Sequence, residues 1–155
     1  MESVKYLTKH FNELTSNELY KILQLRSNIF VVEQMCIFLD MDGNDDKAYH
    51  VYAYIEKDNN YEIIATTRLF NMNDSYKGYQ SIGRVCLHSN YRGLGIGKQL
   101  MKYSIAMCED LFGKGPIKIG AQLYLNKFYI ELGFVNDGEV YDEDGITHIH
   151  MIRSI

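Results

Sequence analysis

Val85-Cys86-Leu87-His88-Ser89-Asn90-Tyr91-Arg92-Gly93-Leu94-Gly95-Ile96-Gly97-Lys98 is the stretch on which the fold turns. An apolar run ends there and glycines alternate with single residues. An amphipathic pattern then begins at once with Leu100, Met101, Ser104, Ile105, Cys108, Leu111 and Phe112. That succession reads as strand, tight turn and helix. The first amides of a helix lack partners and carry partial positive charge, and glycines let a ligand come close to them, so the turn is an anion cradle. Two familiar phosphate loops do not fit the letters. A P-loop needs glycine where Arg92 stands and Ser or Thr where Gln99 stands, and a dinucleotide fingerprint begun at Gly93 needs glycine where Lys98 stands. A turn with no ligand is the structural alternative.

Working outward, Thr15-Ser16-Asn17-Glu18 is a capping box that opens a helix over about residues 16–32. Leu19, Ile22, Leu23, Ile29 and Phe30 keep its apolar spacing, Arg26 interrupts it, and Glu33 and Gln34 stand at its end. Residues 4–10 alternate loosely as a first strand. Residues 50–56 and 61–70 alternate with period two around the turn Asp58-Asn59-Asn60, which makes an antiparallel hairpin. The run 82–87 is a central strand in which Gly83 allows a bulge. Downstream lie a strand at 117–121 opened by Pro116, a helix at 123–132 stopped by Gly133, extended structure at Phe134-Val135, and a strand at 147–152 after a turn at Asp144-Gly145. Strands and crossover helices in this order predict an α/β fold: a single-layer, mixed, mostly antiparallel sheet flanked by helices, in one domain over 1–155.

Composition bounds the function. At 155 residues and 46% hydrophobic content the chain is long enough to bury a real core without staples. Cys36, Cys86 and Cys108 are odd in number and widely spaced, so they read as reduced thiols. No apolar run approaches the roughly 20 residues of a membrane span, and Met1-Glu2-Ser3-Val4-Lys5 lacks a signal-peptide design, so a cytoplasmic location without membrane partners is expected. A net charge of −4 disfavours nucleic acid. Locally the charge is divided. Residues 75–108 hold Lys77, Arg84, Arg92, Lys98 and Lys102 and no acid, whereas 31–46 holds Glu33, Asp40, Asp42, Asp45 and Asp46 and no Lys or Arg. Residues 137–144 form a second acidic band.

What does fit the loop is R-x-x-G-x-G, here Arg92-Gly93-Leu94-Gly95-Ile96-Gly97, directly after an apolar strand. It resembles the acetyl-CoA pyrophosphate loop of the GCN5-related N-acetyltransferase (GNAT) superfamily. Downstream, the segment from Ala121-Gln122-Leu123 through Asn126-Lys127-Phe128-Tyr129-Ile130-Glu131-Leu132-Gly133-Phe134 resembles that superfamily's second motif, ending in F-Y-x-x-x-G-F. With Leu25-Arg26, Phe30-Val31-Val32-Glu33-Gln34, Asp40-Met41-Asp42-Gly43 and the tail from Glu143 to His148, the chain resembles the ElaA-like branch over nearly its whole length.

The resemblance implies a GNAT-like acyl-CoA N-acyltransferase fold and transfer of acetyl from acetyl-CoA to a primary amine of a small molecule or peptide, by direct attack on the thioester. By matched position, Val85, Cys86 and Leu87 would present backbone to the pantetheine arm. Arg92, Gly93, Leu94, Gly95, Ile96, Gly97 and Lys98 would hold the pyrophosphate, and Asn126 would touch the pantetheine region. Tyr129 would protonate the leaving thiolate, and a backbone amide near Leu87 would polarise the carbonyl. Glu33 is the candidate base, with a plain surface carboxylate as its alternative and His148 and His150 as substitutes. Gln34, Arg68, Arg84 and His148 are assigned to the acceptor; either arginine could bind an acceptor's carboxylate, and a buried ion pair with an acid such as Glu33 is the alternative.

No metal is expected. The run from Asp40 to Asp46 lacks the glycine and glutamate of a calcium loop, and the histidines form no compact ligand set. The acidic bands fall on the acceptor side, which favours a cationic amine as partner, with the chain acting as a monomer or a homodimer. Two rivals from other classes remain: a non-catalytic acyl-CoA sensor and an interaction module.

Overall fold

Thr15 caps α1 (Ser16–Arg26) as the capping box requires: its hydroxyl accepts from the Glu18 amide at 3.1 Å, and the Glu18 carboxylate accepts from the Thr15 amide at 2.8 Å. The computed structural model describes residues 2–155. Glu18 also takes Lys9 Nζ at 2.7 Å and the Tyr52 hydroxyl at 2.9 Å, so one capping residue pins the helix to β1 (Lys5–His10) and β2 (Tyr49–Lys57). Helical structure does not stop at Arg26. It widens into a π-helical turn over Ser27–Glu33, one residue beyond the expected end, and delivers Glu33 and Gln34 to the sheet's midline. Such widened turns recur at functional sites.

β2 returns through Asp58 and Asn59, both at positive φ, into β3 (Asn60–Phe70), and β4 (Gln80–Leu87) continues the meander. The bulge expected from Gly83 is there, but Gly83 does not adopt the unusual conformation. Register slips opposite Thr67, and Arg84 takes φ +48°. A left-handed non-glycine residue costs on the order of 1–2 kcal/mol, so the surroundings hold Arg84 there against strain.

α2 (Ile96–Phe112) carries the chain from β4 to β5 (Ile117–Gln122), ending on Gly113 at φ +83°. The expected helix at 123–132 is shorter. A 3-10 turn at Leu123–Leu125 precedes α3 (Asn126–Ile130), and the chain then turns through Gly133 at φ +92°. β6 (Val135–Asn136), β7 (Tyr141–Glu143) and β8 (Ile146–Arg153) close the fold, and Phe134 packs in the core rather than extending the strand.

The strands form one sheet in the order β1-β2-β3-β4-β5-β8-β6, with β7 on β8. All neighbours are antiparallel except β4 and β5, which pair in parallel only at Gln80–Ile117 and Ser81–Lys118. Beyond Ser81 these two strands separate. One sheet face buries Val51, Ile64, Leu69, Ile149 and Met151 against Leu100, Met101 and Cys108 of α2, and the other buries Tyr52, Ile63 and Cys86 against Ile22 and Leu25 of α1. This is the mixed, mostly antiparallel layer flanked by helices that the element order implied. No helix among the described residues is long and apolar enough to cross a membrane.

Candidate active site

The separation of β4 from β5 opens a cleft of about 910 Å³ through the middle of the sheet, within the usual range for small-molecule sites. At one end stands the N-terminus of α2. Gly93 and Gly95 adopt φ +76° and +79°, a conformation that glycine reaches without strain. They turn the chain so that the helix begins facing the cleft, and no side chain caps it. The first bond of the helix runs from the Gln99 amide to the Gly95 carbonyl at 3.2 Å, so the amides before it have no helical turn ahead of them to bond. Gly93, Gly95, Gly97 and Lys98 line the cleft; Leu94 points to solvent and Ile96 into the core, so these two contribute backbone only.

Arg92 crosses the cleft. Its Nη1 and Nη2 donate to the two Glu33 carboxylate oxygens at 3.1 and 2.6 Å, while its Nε and Nη2 donate to the Leu87 carbonyl at 3.1 and 3.0 Å. Glu33 is therefore neither a free base nor a plain surface carboxylate in this conformation: it is half of an exposed, bidentate ion pair.

Val85, Cys86 and Leu87 form one wall, and on the β5 side they have no partner strand. Tyr129 lies in the floor, 5% exposed, its ring packed against Phe128 and Phe134. Burial pushes its phenol above the ordinary tyrosine value. Burial likewise pushes the Cys86 thiol up to about 12, so Cys86 stays protonated and packs rather than acting as a nucleophile. Asn126 departs from expectation. Its amide is turned toward Asn136 and Met151, away from the cleft, because α3 begins there and β6 lies behind it.

On the far side, Gln34 exchanges hydrogen bonds with Gln122 at 3.3 Å, and Cys36 Sγ donates to the Asp144 carbonyl at 3.2 Å, so the β7–β8 turn closes against the end of the π-helical turn. His148 lies here, opposite Gln122 in register. Its Nδ1 sits 2.8 Å from the Ile146 carbonyl, which can only accept, so Nδ1 carries the proton; Nε2 faces Glu143 at 3.2 Å. His150 stacks on Tyr141, 4.5 Å between ring centres, and does not line the cleft.

The arginines assigned to the acceptor belong to a closed ring of six ion pairs. Arg26, 1% exposed, meets Asp40 at 2.9 Å and Asp45 at 2.7 Å; Arg68 meets Asp45 at 3.1 Å and grips Asp42 at 2.8 Å; Arg84 meets Asp42 at 3.4 Å and Asp40 at 2.8 Å. Charges alternate around the whole circuit. Of these arginines only Arg84 reaches the cleft, where Asp42 also lies. Arg68 is sealed behind, stacked on Phe70 and ion-paired with Asp42 and Asp45 rather than with Glu33. The acidic band at 31–46 is thus spent on Arg26, Arg68, Arg84 and Arg92, with only Asp46 left over. In the second band Glu143 faces His148 and Asp137 pairs with Lys118. The first acidic band is thus largely neutralised within the fold, whereas Glu139, Asp142 and Asp144 of the second have no cationic partner among the described residues, and Glu143 and Asp144 line the cleft.

Sequence reasoning missed Gln122, Glu143 and the ring. Arg26 was the available signal: a charge placed on the apolar stripe of a helix needs buried partners.

Residues 40–155 match the family model described as an acetyltransferase (GNAT) domain. The protein ElaA of Escherichia coli K12 is 36% identical over 154 residues, which cover 98% of this chain and 97% of ElaA. The crystal structure of E. coli ElaA superimposes with a TM-score of 0.88 over 98% of this chain and all of ElaA's chain. An acyl-CoA N-acyltransferase from Pseudomonas aeruginosa, 39% identical, gives 0.89 over 98% of this chain and 100% of its own. An aminoglycoside 6'-N-acetyltransferase solved with coenzyme A shares the fold alone, at 15% identity and a TM-score of 0.66 over 95% and 96% of the two chains.

Proposed function

The chain belongs to the GNAT acetyltransferase family, in its ElaA-like branch, and from that premise we propose that it moves the acetyl group of acetyl-CoA to a primary amine by direct attack on the thioester. The observation that carries this reading is the uncapped α2 N-terminus opening into the gap between β4 and β5. The amides there, with Arg92 and Lys98, are the anion cradle that a pyrophosphate fits, and the unpaired edge of β4 from Val85 to Leu87 offers backbone groups to an amide-bearing arm, as an added strand would find them. CoA supplies the acyl thioester. The Leu87 region donates an amide to the carbonyl oxygen as negative charge develops on it. Tyr129, protonated through the neutral range, donates to the departing sulfur.

Glu33 serves as base once Arg92 turns from it toward the pyrophosphate. The Arg92 clasp favours a second reading, in which His148 Nε2 takes the proton with its tautomer fixed by Ile146. Glu33→Gln and His148→Gln separate the two, since only loss of the true base removes the acid limb of the kcat/KM profile.

Gly95→Ala is expected to cost about 1–2 kcal/mol of stability, because a side chain is strained at φ +79°, and to weaken CoA binding measured by calorimetry. Unchanged CoA affinity would remove the cradle from the cofactor site. The function itself is tested by release of free CoA from acetyl-CoA with a panel of primary amines. Release well above that of Tyr129→Phe is expected. CoA binding without release would make the protein a sensor, and no binding would leave an interaction module.

A further inference from the structure

We propose that the acceptor is an amine that also carries a carboxylate, and that Arg84 holds that carboxylate at the cleft mouth; this deepens the acetyltransferase reading and rests on it. Arg84 is the one strained non-glycine residue in the cleft's β4 wall, forced to φ +48° at a bulge. Strain of this kind persists only where the surroundings over-determine it, and here they aim a guanidinium into the cleft.

Arg84 is also the least satisfied member of the ion-pair ring. Arg26 makes four hydrogen bonds and Arg68 grips Asp42 with two at 2.8 Å. Arg84 donates only through Nη2, to the Asp40 carbonyl at 2.9 Å and to Asp42 at 3.4 Å, and its Nε meets Asp40 out of hydrogen-bonding line. Its Nη1 makes no hydrogen bond to any described residue, and its side chain is 23% exposed where those of Arg26 and Arg68 are sealed. Burial and the nearby Arg68 both act against its charge, so an added anion relieves it. Asp42, the carboxylate beside it, is already neutralised by Arg68. Phe38 supports the guanidinium from the side, 5.7 Å from the ring centre.

Geometry sets the acceptor's length. Arg84 precedes Leu87 by three residues, the first of them in the bulge, so the wall between them is somewhat shorter than about 10 Å of regular strand. Phe30 and Phe38 line the cleft on the acceptor side. A primary amine joined to a carboxylate by an apolar spacer matches this better than an α-amino acid does.

The test pairs acids with their neutral amides: 6-aminohexanoate against 6-aminohexanamide, and glycine against glycinamide. With wild type, 6-aminohexanoate is expected to exceed its amide about 10- to 100-fold in kcat/KM for CoA release, the value of a charged hydrogen-bonded contact, with a smaller ratio for the glycine pair. Arg84→Met should bring the acid-to-amide ratio close to one, whatever it does to the absolute rates by uncovering Asp40 and Asp42, and Arg84→Lys should restore part of the preference. If Arg84→Met fails to fold, the wild-type acid-to-amide ratio and the Lys variant decide alone. Calorimetry of both 6-carbon probes against the CoA-bound protein reads the same preference without turnover. Tighter binding of the acid with no CoA release would overturn the reaction and keep the Arg84 site. Amides equal to or better than acids in both assays would overturn the site and keep the reaction.

Discussion

Tyr129→Phe is expected to lower kcat for CoA release by about 10²- to 10⁴-fold, the range of a positioned proton donor, while CoA affinity stays within about twofold. The ring is held edge-on by Phe128 and Phe134, 5.1 and 5.9 Å between centres, so the substitution removes one oxygen and leaves the packing in place. Burial makes the phenol a reluctant acid, which on its own would argue against proton donation. The same surroundings act on sulfur, however. A thiolate expelled among apolar walls is itself poorly solvated, so donation from the phenol as the C–S bond breaks spares the cleft a bare anion. Steady-state thiol release and calorimetric titration with CoA separate the two constants; equal losses in both would make Tyr129 a positioning residue.

Arg26→Met is expected to destabilise the fold by about 3–5 kcal/mol, because it strands the buried carboxylates of Asp40 and Asp45. Urea denaturation at neutral pH measures it. The pH dependence identifies the cause. Burial alone would raise the Asp45 pKa, but hydrogen bonds and charge from Arg26 and then Arg68 outweigh it and hold the group below its ordinary 3.8. A folded-state pKa below the unfolded one contributes stability that is fully present above that ordinary value and is lost as pH falls through the folded one. In the variant Asp45, without the Arg26 guanidinium, gains by taking up a proton. The gap between wild type and Arg26→Met should therefore narrow on acidification, and a gap that stays constant down to about pH 3 would assign Arg26 to packing instead.

Local signals in the sequence carry the first helix start, the hairpin strands and the glycine turn. The Thr15–Glu18 box, the two-period of β2 and β3, and the alternating glycines each depend on neighbours a few residues apart, and each stands where it was read. What failed depends on distance or on orientation. Glu33 and Arg92 are 59 residues apart, and nothing local marks them as partners. Asn126 occupies the family's position, but its side-chain direction is set by β6, a strand too short to announce itself. Gly83 points to a bulge in β4, but the left-handed residue is its neighbour Arg84, which ion pairing to Asp40 and Asp42 holds there. The acidic band at 31–46 shows the same limit: a linear count of charge does not see the arginines that the fold brings to it.

The closed circuit of alternating charges also shapes how this pocket can change over generations. Each of its six members touches two of opposite sign, so losing any one leaves two neighbours undercompensated, whereas losing an adjacent Arg–Asp pair leaves a neutral chain of four. Single steps are costly and paired steps are cheaper, which is sign epistasis written in ion pairs. Because Arg84 and Asp42 are both ring members and cleft residues, this part of the cleft wall is tied to fold stability. Neutral drift there should proceed by coupled replacements, and relatives that handle a different acceptor should differ at both positions together.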